Sequence, residues 1–390
     1  MRLSFALKCT AIFSAIFLNN HINAQNDTVV AQFSVLPGLS TNGDSASKIT
    51  NHLSFNLFAG YNGGVEGAEI AAIANINNYN VTGLQIAGIS NVNKAEATAL
   101  QVSGIFNYTE KEFKGFQVSG ISNMTKSRFE GLQASGIFNH TQEMIGAQIT
   151  GITGNAKDVT GLQLSGLASN ARRVRGLQVS GIVNRSYRTQ GMQLAALVNV
   201  TERLEGVQLG LINYSGSGHR GVPIGFISIA RNGYAAVDFS FNEIMPLTLA
   251  VKTGVNPFYN VFLASSNFEE DNLLWTVGYG LGSRILVGNV LALEFELTAS
   301  HLSKEQFTQE LNALGRFNFN LAFDIGGFME MYVGPSVNAY FTQVYNPDTD
   351  KFGHDIAPGQ LFYEEIVYDY DKPTLIQAWI GAQVGMRFFI

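Results

Sequence analysis

The chain has 390 residues, a formal charge of -6, 46% apolar residues and only 14% charged ones. So few charges, against ~25% in an ordinary soluble domain, and so many apolar residues exclude a disordered chain, and the acidic balance argues against nucleic acid as a partner. After the first 25 positions no apolar run reaches the ~18 residues a membrane helix needs, so an α-helical membrane protein is not expected.

Residues 1–24 carry Arg2 and Lys8, then an apolar run from Thr10 to Leu18, then small Ala24. That is the pattern of a secretory signal peptide cleaved after Ala24. Cys9, the single cysteine, follows Lys8 and precedes the apolar run, so it does not read as a lipoprotein site. The exported chain then has no disulfide framework and no thiol chemistry. Export and a β-rich composition point to a bacterial envelope.

In residues 25–62, Leu53, Phe55, Leu57 and Ala59 alternate with Ser54, Asn56, Phe58 and Gly60. The period of two predicts a strand, taken here as part of a barrel wall that precedes the next region.

Residues 63–232 repeat. Gly83-Leu84-Gln85-Ile86-Ala87-Gly88-Ile89 returns at Ala99 and from Gly115, Gly131, Gly146, Gly161, Gly176, Gly191 and Gly206. Gly67 with Glu69, and Gly221 with Ile224, are degenerate first and last copies. The spacing is 16 residues up to Gly131 and 15 beyond it. Gln holds the third place at Gln85, Gln101, Gln117, Gln133, Gln148, Gln163, Gln178, Gln193 and Gln208, and Asn closes the apolar part at Asn91, Asn107, Asn123, Asn139, Asn184 and Asn199. Alternation with recurrent Gly predicts β structure in each copy. On a straight strand Leu100, Val102, Gly104 and Phe106 share one face; a bend at Ser103-Gly104 brings Ile105 to the same side.

Two arrangements follow. In a β-solenoid each copy is one coil and like residues stack in ladders ~4.8 Å apart. In an antiparallel meander successive copies reverse direction and equivalents do not stack. The solenoid is favoured, because lipid-facing strands want bulky apolar residues and aromatic belts, whereas the copies are dense in Gly, Ala and Ser. The meander stays open, since the copies run into barrel-like sequence on both sides. The Gln ladder is the candidate docking surface.

Residues 233–390 alternate over longer stretches. Phe317, Phe319, Leu321, Phe323 and Ile325 oppose Arg316, Asn318, Asn320, Ala322 and Asp324. Leu291, Leu293, Phe295 and Leu297 oppose Ala292, Glu294, Glu296 and Thr298, and Val237, Phe239 and Phe241 oppose Asp238, Ser240 and Asn242. The last strand sets Ile380, Ala382, Val384, Met386 and Phe388 against Trp379, Gln383, Gly385 and Arg387. Such strands predict a tilted transmembrane barrel with an even strand number and a long loop over 346–360. Glu294, Glu296, Arg316, Asp324, Glu330 and Arg387 then point inward, pairing across the lumen and filling it. A narrow polar pore is the alternative.

No nucleophile elbow, P-loop, dinucleotide fingerprint or zinc signature is present, and the histidines are widely spaced. Ser300-His301 and Ser303 are the nearest catalytic fragment, but neighbours on a strand face opposite ways. Asp348, Asp350, Asp355, Asp369 and Asp371, with Glu364 and Glu365, lack calcium-loop spacing and read as a solvated face. No cofactor, no metal and no enzymatic activity are expected.

The copies of form Gly-Leu-Gln-x-Ser-Gly-Ile-x-Asn, with Leu53 to Tyr61 ahead of them, resemble the surface-repeat proteins of Bacteroidota and spirochaetes over roughly residues 50 to 230. The resemblance implies an envelope location and no mechanism. The expectation is therefore an all-β, outer-membrane β-barrel with an inserted or integral β-repeat region. It is a non-catalytic structural or accessory part of an envelope assembly, with outer-membrane lipid and other envelope proteins as partners. A surface adhesin or ligand-binding protein and a small-solute channel are the alternatives.

Overall fold

The computed structural model describes residues 27–216, 220–269, 273–346, 350–354, 356–358, 360–368 and 372–390. The export segment expected at 1–24 lies outside them. The protein is all-β and forms two compact units, Met1–Gly120 and Ile121–Ile390.

In the first unit, Ile49–Asn56, Gly64–Ala71, Val81–Ala87, Ala97–Ser103 and Phe113–Ser119 stack as parallel strands with Gln85 on Gln101 and Gln101 on Gln117. A second column, Ala59–Asn62, Ala74–Asn77, Ser90–Asn93 and Phe106–Thr109, stacks in parallel beside it. Parallel pairing of equivalent residues requires every copy to run the same way, which is the solenoid and overturns the meander. Asp27–Leu36 adds one more parallel strand on Ile49–Asn56. The strand expected in a barrel wall at Leu53 to Ala59 is therefore a solenoid coil. Alternation is the same in both settings, and only the hydrogen-bonded partner tells them apart.

The second unit begins with six further coil strands: Ser122–Ser135, Phe138–Thr150, Thr153–Ser165, Ala168–Ser180, Val183–Ala195 and Val198–Leu209. They pair in parallel, Gly on Gly and Gln on Gln. Coils of 15 residues run unbroken around one corner. The longer coils break there at a turn, or absorb the extra residue as an irregularity between Thr125 and Arg128. At Gly161 the backbone has φ +123°, and a Cβ would lie 2.2 Å from the Gly146 carbonyl oxygen, so a side chain is excluded in this coil. Ala99 takes the anchor place in its own coil.

The barrel follows: β1 (Tyr234–Asn242), β2 (Leu247–Val255), β3 (Phe258–Ser266), β4 (Leu274–Val287), β5 (Leu291–Lys304), β6 (Asn312–Asp324), β7 (Met329–Thr342) and β8 (Pro373–Phe389). Each pairs antiparallel with the next, and β1 closes on β8 with Asp238 opposite Arg387. The first part of β8 also carries a short strand, Tyr363–Tyr368, on its outer edge. Eight strands enclose a space that side chains can fill. Phe241, Val277, Leu297, Phe317, Val337 and Ile380 are exposed on the outside, and their polar alternates are buried inside, as the alternation predicts. The final solenoid coil rests on this wall. Asn260 donates to the Gly225 carbonyl at 2.7 Å and accepts from the Ser228 amide at 2.9 Å, while Phe226 packs on Phe262 and Tyr279.

Candidate functional site

The Gln ladder runs inside the coils. Every Gln from Gln85 to Gln208 at the third place is 0% exposed. In the first unit Gln117 Nε2 donates to Gln101 at 2.6 Å, Gln101 to Gln85 at 3.0 Å, and Gln85 to Glu69 at 2.8 Å. In the second, Gln148 donates to Gln133, Gln163 to Gln148, Gln178 to Gln163, Gln193 to Gln178 and Gln208 to Gln193, at 2.6–2.9 Å. The expected docking surface is thus an internal strut. Stacking at the strand spacing lets each amide satisfy the next, so burial leaves few amide groups unpaired. Asn91 and Asn107 likewise donate to the carbonyls of Val102 and Val118, just before the Ser-Gly bend where strand pairing ends.

Glu69 ends the chain of donors in the first unit. Asn56 and Gln85 donate to it at 3.2 and 2.8 Å, Asn77 at 2.7 Å, and Asn62 completes the set. Burial pushes its carboxyl from 4.5 up to about 7, against these four hydrogen bonds, which pull it down.

The outward residues of the coils are apolar on one side. In the second unit Ile137, Ile152, Leu167, Ile182, Leu197 and Phe226 follow the bend and are 40–47% exposed. The outward positions before the bend are Leu, Ile, Val, Met or Ala from Leu132 to Ile224, with no charged residue among them. The bend at Ser103-Gly104 behaves as anticipated: Ile105 is exposed beside Leu100, while Gln101 and Asn107 are buried. The far corner of the coils holds the charges. Residues 121–230 contain ten Lys and Arg against five Asp and Glu, and Arg173 pairs with Asp158, and Arg188 with Glu205, on neighbouring coils.

The barrel lumen holds a second polar system. Arg387 reaches Asp238 through two bonds of 2.8 Å, Glu294 through both terminal nitrogens, and Glu330 at 3.3 Å. Arg284 pairs with Glu330, and Lys252 pairs with Asp238 at 2.7 Å and with Glu296, which also accepts from the Tyr259 hydroxyl at 2.7 Å. Tyr332 and Tyr234 lie against the Arg387 guanidinium at 5.1 and 5.6 Å. A cluster of Met245, Leu274, Leu302, Leu314, Tyr340, Ile356 and Trp379 fills another part of the interior, and Ile356 comes from the long loop expected over 346–360. A cavity of about 40 Å³ remains among Asp238, Lys252, Glu296 and Arg316, room for a few waters.

Of the expected inward charges, Glu294, Glu296, Glu330 and Arg387 meet in this network. Arg316 is interior but apart from it, donating to Asn338 at 2.9 Å with Glu243 4.0 Å away. Asp324 is not part of it: half-buried at the end of β6, it accepts from the Gly327 amide at 2.6 Å and caps the turn. At a strand end, turn geometry overrides the alternation. Sequence reasoning left Lys252 and Arg284 out of the interior set and did not join Asp238 to it. The signal available for each was a charged residue in phase with buried alternates on its own strand.

Ser300 faces the interior, whereas the His301 ring nitrogen lies 3.0 Å from the Thr308 carbonyl oxygen. Among the described residues no three His, Cys, Asp or Glu side chains converge as a metal site. Asp348, Asp355, Asp369 and Asp371 lie outside the described residues. No family model matches the chain, and neither the curated proteins nor the solved structures contain a match.

Proposed function

We propose that this protein is a non-catalytic, integral outer-membrane β-barrel that anchors a rigid β-solenoid as a structural or accessory part of an envelope assembly. The observation that carries the reading is the inversion of the barrel. Its outside is mostly apolar, and its inside holds three cations and four carboxylates in one bonded network. A soluble barrel would place those groups the other way. The filled lumen favours an anchor over a small-solute channel. The export pattern at 1–24 agrees with the same location.

Partners in this reading meet the charged corner of the coils, since the Gln ladder is enclosed. The test joins a measurement on protein purified from outer membranes in mild detergent with one in intact cells. In planar bilayers the barrel should be silent, and crosslinking in intact cells should join the charged corner, at sites such as Arg172, to a defined envelope protein. Single-channel conductance at moderate voltage would replace the anchor with a pore. A silent barrel without any crosslink would remove the assembly role.

A further inference from the structure

Among the described residues of the second unit, nothing covers the apolar side of its coils. Between Ile121 and Phe226 it is about 34 Å long, at ~4.8 Å per coil, and roughly 16 Å wide, from the first outward residue after each anchor glycine to the bend. That is on the order of 600 Å² of continuous aliphatic surface, at the upper limit of what a soluble monomer leaves open. Its width decides between occupants. About 16 Å is the depth of one leaflet of a ~30 Å hydrocarbon core, so the ridge is deep enough to enter one leaflet and too narrow to span two.

Two further features select lipid over a protein partner. The ridge is almost purely aliphatic and bears no charged or hydrogen-bonding side chain among Ile137, Ile152, Leu167, Ile182 and Leu197. A protein-binding patch would carry polar groups and aromatic anchors to fix orientation. The ridge is also continuous with the barrel wall, because its last member, Phe226, stacks on Tyr279 at 4.6 Å and packs edge-on against Phe262 at 5.8 Å, both on the outer face. Most charges stay toward the opposite corner, as in an amphipathic helix lying in an interface, and Arg185, three residues beyond the bend residue Ile182, has a side chain long enough to reach back toward water.

We propose that the bend edge of the solenoid in the second unit is immersed in one membrane leaflet beside the barrel, with the charged corner in water. This rests on the barrel itself being membrane-embedded, and the test separates the two. In a Cys9→Ser background, nitroxide labels are placed at Leu167→Cys and Leu197→Cys on the ridge, Arg172→Cys on the charged corner, and Leu297→Cys on the barrel wall. The variants, each checked for barrel folding by heat-modifiable migration, are reconstituted in phosphatidylethanolamine–phosphatidylglycerol vesicles. Collision with oxygen and with a water-soluble nickel chelate is then measured. The expected result is oxygen-rich, nickel-poor behaviour at Leu167, Leu197 and Leu297, with nickel collision several-fold higher at Arg172. Nickel access at the ridge with a lipid-exposed Leu297 overturns the inference and leaves the barrel reading intact. Shielding of the ridge labels from both reagents overturns it in favour of a protein occupant. Nickel access at Leu297 removes the barrel reading and the inference together.

Discussion

Glu69 stands where nine later coils have Gln, and the substitution has a chemical logic. In the first unit Gln117, Gln101 and Gln85 each donate toward the lower-numbered coil, so the last member needs acceptors and no donor. A carboxylate meets that need, and its burial raises its proton affinity: its carboxyl rises from 4.5 to about 7. Because the folded value lies above the unfolded one, the folded protein holds this proton more tightly. Its contribution to stability is fully present below pH 4.5, declines as pH rises toward 7, and is gone above it. The total change is on the order of 3 kcal/mol at 1.36 kcal/mol per pH unit. Unfolding midpoints of the wild type and Glu69→Gln between pH 4 and 8 check this. The wild type should lose stability across the window and the variant should be flatter there. Parallel profiles would show that Glu69 does not titrate in it.

At the scale of one coil, Gln and Asn fill the core near the bend under an apolar skin, while Phe129, Met144, Val159, Val174 and Leu204 fill its charged end, and the arrangement works because the coil is narrow. Few side chains fit inside, and each lies one strand spacing from its own copy. Gln163 shows the dependence: it donates to Gln148 at 2.9 Å and accepts from Gln178 at 2.8 Å. Gln163→Leu keeps the volume but strands an acceptor on Gln148 and a donor on Gln178. Each buried orphan costs about 1–3 kcal/mol. We expect a clear fall in urea or thermal midpoint for Gln163→Leu and little change for the exposed Leu164→Met. Near-equal midpoints for Gln163→Leu and wild type would mean that the ladder adds no stability.

At the scale of the whole molecule, the barrel network is bonded so closely that removing one cation leaves buried carboxylates unpaired. The outer wall gives the sharper test of the proposed setting. Leu297 is 62% exposed, so in water Leu297→Arg would be nearly neutral. In a bilayer the same change costs about 2–4 kcal/mol near the midplane. Refolding into vesicles, followed by heat-modifiable migration, should show a marked loss for Leu297→Arg. An unchanged yield would place that wall in water.

The repeat length, the β character of each coil, the bend at Ser103-Gly104 and, away from the strand end at Asp324, the alternating faces of the barrel strands were readable along the chain. Each depends on local alternation or on glycine, which act within one strand. The sequence could not reveal that Gln and Asn form the interior of the coils. Alternation defines two faces without saying which one is enclosed, and only coil closure decides that. Nor could it assign Leu53 to Ala59 to the solenoid, since strand partners are a tertiary choice. Asp238, Lys252, Arg284 and Arg387 lie on β1, β2, β4 and β8, whose inward faces meet across one lumen only when β1 closes on β8. Their network is therefore a product of the closed barrel, whose low-dielectric interior makes pairing obligatory for charges that each strand carries alone.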